Sequence, residues 1–132
     1  MDKNEFIQEV ESRFSKTDND NLLIQVMIEI LDYFKSISSE INNIDGELSV
    51  GFNHDAADFL EVTLFENRLR FSRKEDSISA SFVSSKDNQF TKQYEHLELD
   101  TFIVVNGLVV SSKDKSPFDV NNLESYLKYL LA

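Results

Sequence analysis

Asn106-Gly107 separates two short apolar runs, Thr101-Phe102-Ile103-Val104-Val105 and Leu108-Val109-Val110-Ser111-Ser112, and no other stretch constrains the chain so tightly. Asn-Gly supplies the two positive-φ positions of a type I′ turn, whose twist matches that of the strands it joins. A two-residue loop then fixes the register, with Val105 facing Leu108, Val104 facing Val109, Ile103 facing Val110 and Phe102 facing Ser111. One face carries Ile103, Val105, Leu108 and Val110. The other carries Phe102, Val104 and Val109 before it turns polar at Ser111. An antiparallel hairpin with one wet side alternates apolar with polar residues. This one does not, so both faces ask for cover.

The segments around the hairpin separate by period. Phe6, Ile7, Val10 and Phe14 recur at helical spacing behind Asp2 and Glu5, a D-x-x-E opening that predicts a short amphipathic helix. A polar break at residues 16–21 precedes a second helix expected from about Asn21 to Asn42. Its stripe of Leu23, Met27, Ile30, Phe34, Ile37, Ile41 and Ile44, widened by Val26 and Leu31, suits packing across a sheet or a seam between chains. Past Gly46 the period drops to two. Leu48, Val50 and Phe52 predict a first strand. Residues 58–73 read as a hairpin turning at Glu66-Asn67, which pairs Leu64 with Leu69, Val62 with Phe71 and Thr63 with Arg70, with Glu61 diagonal to Arg70. Ile78, Ala80 and Phe82 predict another strand, and residues 90–99 are extended but irregular. After Ser116-Pro117, Asp119 or Asn121 caps a last helix with Val120, Leu123, Tyr126, Leu127, Leu130 and Leu131 on one face. The fold class is α+β: two N-terminal helices, a mainly antiparallel sheet of about six or seven strands, and a C-terminal helix. The whole chain, 1–132, is expected to be a single domain.

Charge is distributed unevenly. Residues 1–66 hold 4 Lys/Arg against 15 Asp/Glu, and residues 67–132 hold 9 of each, so the net −11 lies entirely in the first half. A field of that sign repels phosphate backbones and anionic lipid, which argues against nucleic acid and membrane partners and leaves room for a basic protein. The absence of cysteine removes disulfides, thiolate nucleophiles and Cys-based zinc sites. With no apolar leader or span in view, a cytoplasmic location is expected.

The search for chemistry yields one weak cluster. His54, Asp55 and Asp58 share a loop with H-D-x-x-D spacing and form a possible ligand rim, but turn chemistry accounts for them without a metal. His96 has no nucleophile in a recognisable elbow beside it. The run Asp18-Asn19-Asp20-Asn21 fails as a calcium loop because Leu22 and Leu23 occupy the ligand and glycine positions. No phosphate-binding glycine motif occurs, and no cofactor is expected. Arg68, Arg70, Arg73 and Lys74 lie near Phe65 and Phe71, but Glu61 pairing and core packing explain that strip better than base stacking does.

The expectation is a non-enzymatic protein-interaction domain. In architecture and charge it resembles small acidic binding proteins such as secretion chaperones and toxin-immunity proteins, with no motif shared. The alternative is a small-ligand binder or an enzyme with a pocket between sheet and helices. A homodimer is expected, formed on the uncovered hairpin face around Phe102, Val104 and Val109.

Overall fold

The computed structural model describes residues 1–14, 18–42, 49–52, 58–87 and 92–132. Helices α1 (Lys3–Phe14) and α2 (Asp18–Asn42) come first. Six strands follow: β1 (Ser49–Phe52), β2 (Phe59–Leu64), β3 (Asn67–Arg73), β4 (Ser77–Asp87), β5 (Lys92–Val105) and β6 (Leu108–Ser111). A 3₁₀ turn at Val120–Leu123 leads into α3 (Glu124–Leu130). The strands form one antiparallel meander in chain order, so the α+β reading holds. Each strand returns beside its predecessor because only short turns join the described neighbours.

The Asn-Gly hairpin takes the register its sequence dictates. Phe102, Ile103, Val104 and Val105 pair with Ser111, Val110, Val109 and Leu108, and φ is +52° at Asn106 and +78° at Gly107. The β2–β3 hairpin differs from expectation. It turns at Phe65-Glu66, one residue earlier at each end, so Leu64 faces Asn67, Val62 faces Leu69 and Glu61 directly faces Arg70. A shift of two positions keeps each side chain on its expected face. The reason is Asn67, which lies buried and donates from Nδ2 to the Leu130 and Ala132 carbonyls at 3.0 and 3.1 Å. It also accepts from the Ser84 hydroxyl at 3.0 Å. Those long-range bonds hold Asn67 in the sheet and push Phe65 into the turn, where its φ is +54°.

One face of the sheet meets the helices. Leu60, Val62, Leu69, Phe71, Ile78 and Phe82 pack there in a single core with Leu23, Met27, Ile30 and Phe34 of α2 and with Tyr126 and Leu130 of α3. The α2 stripe therefore belongs to this chain's own core and not to an interchain seam, and Ile37 and Ile41 only partly join it. Over β3 and β4 the opposite face is mainly polar, with Arg68, Arg70, Ser72, Ser79 and Ser81 half-buried outside the core, the one-sided pattern of an antiparallel sheet.

Three expectations need correction. Phe102 and Val109 lie in the core with Val104 packed against it, and Phe102 meets Phe118 edge-on at 5.2 Å. The hairpin face proposed as an interface is thus covered by the chain's own helices and C-terminal segment. Phe6 is not a core residue: every α1 side chain from Lys3 to Val10 is exposed. Leu131 falls beyond the end of α3 and is exposed.

Candidate functional site

A β-bulge between Ala80 and Ser81 positions a concavity beside β5. Asp100 pairs with Ala80 but Glu98 pairs with Ser81, so Leu99 is the extra residue on β5. A bulge bends its strand and re-aims the side chains beside it. Leu99 is buried, Asp100 half-buried, and both line a groove of about 590 Å³. Its other walls are the turn after β6, with Ser111 and Lys113, and the 3₁₀–α3 segment, with Asn121, Asn122, Tyr126 and Tyr129. A volume of that order falls within the usual range of small-molecule sites, ~300–1,000 Å³.

Asp100 organises this groove. Its Oδ1 accepts from the Thr101 backbone N–H at 2.7 Å and from the Ser112 hydroxyl at 3.4 Å, while Oδ2 accepts from the Ser111 hydroxyl at 2.5 Å. The Ser111 oxygen in turn accepts from the Lys113 N–H at 3.2 Å. These bonds tie β5 to the turn after β6 and hold the carboxylate in place. At the next corner Asp114 accepts from Ser116, from its hydroxyl at 2.6 Å and its N–H at 2.9 Å, and this holds the Asp114 carboxyl below its ordinary range.

The α3 wall begins where Asp119 Oδ1 caps the Asn121 N–H at 2.9 Å, one of the two caps expected from sequence. Capping aims the 3₁₀ turn so that α3 lays Tyr126 and Leu130 on the sheet. Burial, reinforced by the negative charge of Asp100, pushes the Tyr126 phenol up to about 12. Tyr129 stacks obliquely on Phe82 at 5.2 Å, and the Lys128 ammonium lies 5.2 Å from its ring centre.

The loop cluster expected at a pocket rim does not form this groove. His54 and Asp55 lie outside the described residues. The Asp58 carboxylate accepts from the Arg73 guanidinium and is absent from the groove walls. His96 borders a smaller recess of about 260 Å³ on the outward face, which shares Glu98 and Asp100 with the groove. Sequence reasoning did not single out Asp100, Ser111 or Tyr126. The available signal was the abrupt polar turn at Ser111 on an otherwise apolar hairpin face.

A second feature is a surface. On α1, Phe6, Ile7 and Val10 are 59%, 43% and 38% exposed, and on the outward face of the hairpin Val105 and Leu108 are 41% and 57% exposed. Among the described residues no helix is long and apolar enough to cross a membrane. No family model, curated protein or solved structure matches the chain.

Proposed function

We propose that this protein is an interaction domain whose helix α1 docks on a protein partner, the first such partner being a second copy of the chain. The observation that carries the reading is the exposed stripe of Phe6, Ile7 and Val10 on a helix of 12 residues. An isolated helix of that length is marginal in water, since stability below ~12–15 residues comes from burying an apolar face. The Asp2 side chain caps it by accepting from the Glu5 N–H at 2.9 Å, but one cap does not replace packing.

A second copy offers suitable cover. The outward face of its sheet carries apolar Val105 and Leu108 at the tip of the β5–β6 hairpin, both well exposed. The apolar stripe of α1 meets that apolar patch. A two-fold arrangement satisfies both copies at once. Sedimentation velocity at micromolar concentration tests this: wild type sediments as a dimer and Phe6→Asp/Val10→Asp as a folded monomer. A monomeric wild type, or a dimer indifferent to both substitutions, overturns the reading.

A further inference from the structure

The groove between β5 and α3 is lined by no residue of α1, and its chemistry narrows what it can hold. An anion would meet the carboxylates of Glu98, Asp100 and Asp114 on the walls. A cation finds little better. Lys113 and Lys128 line the same groove and would repel it, and the ring face of Tyr129 already has the Lys128 ammonium over it. With three acids and two bases along its length, the groove has no strong preference for either sign of charge.

Its remaining wall is of a different kind. Asn121 and Asn122 present side-chain amides, each able to donate and accept, and both are exposed to the groove. Tyr126 adds a hydroxyl on a ring that is otherwise buried. Leu97, exposed on the same wall, supplies apolar surface next to these groups. Mixed donors and acceptors around an apolar strip, without net charge to neutralise, match a neutral molecule that alternates hydroxyls with C–H faces.

We infer that the groove lined by Asp100, Asn121, Asn122 and Tyr126 is a binding site for a small neutral polyhydroxylated ligand of the saccharide class. Asp100 and the asparagine carbonyls accept from ligand hydroxyls, the asparagine amides and Tyr126 donate to ligand oxygens, and the exposed Leu97 side chain takes the C–H face. Fixing Asp100 through Thr101, Ser111 and Ser112 sets its acceptor before the ligand arrives, so little ordering is left for binding to impose.

Saturation-transfer NMR on the full chain with glucose, galactose and N-acetylglucosamine at millimolar concentration tests the inference, with choline and acetate as charged probes. At least one sugar should receive saturation, concentrated on the ring C–H protons. That signal should drop at least fivefold in Asn121→Ala/Asn122→Ala, whose exposed positions leave the fold intact, and in Tyr126→Phe, which keeps the ring. The Phe6→Asp/Val10→Asp chain should give the wild-type signal, which separates this site from the docking of α1. Transfer to none of the three sugars, transfer unaffected by both groove variants, or transfer to choline or acetate in place of sugar overturns the assignment.

Discussion

Asn67 of β3 donates from its side-chain amide to the Leu130 carbonyl at 3.0 Å, joining the inner strands to the last residue of α3 across 63 positions of chain. The same side chain accepts from Ser84 on β4, and both residues are at most 3% exposed. Asn67→Ala strands the Ser84 hydroxyl and the Leu130 carbonyl in the interior. An unmade buried hydrogen bond costs ~1–3 kcal/mol, so a loss of about 2 kcal/mol is expected by urea titration. Ser84→Ala should cost less, and the double variant less than the sum of the two, because both act on one network.

The two hairpin turns respond to substitution in opposite directions. Nothing lies within 4 Å of a Cβ built at Gly107, so Gly107→Val meets no clash, only the strain of a β-branched residue at φ +78°. The expected loss is ~1–2 kcal/mol. At the other turn Phe65, at φ +54° and 78% exposed, already bears that strain. Phe65→Gly should leave the melting temperature unchanged or raise it. A Gly107→Val protein as stable as wild type would contradict the left-handed turn.

The ion pair of Glu61 with Arg70, 2.8 Å apart on half-exposed side chains, should matter little. Arg68 reaches the same carboxylate at 3.8 Å and remains as a second partner. Arg70→Gln is expected to cost less than ~1 kcal/mol at low salt, and the difference should shrink as salt rises.

Alkaline pH should weaken the fold through Tyr126. Its phenol titrates at about 12 in the folded chain, above the ordinary 10, so between those values the native state keeps a proton that the unfolded chain has released. Stability is intact below pH 10 and declines as pH rises toward 12. Tyr33 is raised in the same direction, by burial first and then by Glu124. The urea midpoint should fall between pH 9 and pH 11, and Tyr126→Phe should reduce that fall. An equal fall in the variant would remove Tyr126 from the explanation.

Local rules sufficed wherever local physics decided the outcome. The Asn-Gly turn, the α2 stripe from Leu23 to Phe34 and the Asp119 cap depend on residues a few positions apart, and each appears as the sequence implies, while Ile44 at the end of the stripe lies outside the described residues. The β2–β3 register was misread because its arbiter, Asn67, bonds to residues 63 and 65 positions away. The face of the hairpin that remains open was misassigned for a related reason: counting apolar faces cannot say that Phe118 returns to cover Phe102. The groove was illegible for the same cause, since a bulge in β5 and a turn after β6 bring Asp100 and Ser111 together only in the folded chain.

Hydrogen exchange of the α1 backbone amides, followed at submicromolar and at high micromolar protein, tests the central claim most directly. If α1 docks on a second copy, its amides exchange near peptide rates when dilute and become protected as concentration rises, and Phe6→Asp/Val10→Asp abolishes that protection. Amides that exchange at peptide rates at every concentration, or that are equally protected at both, would contradict the account.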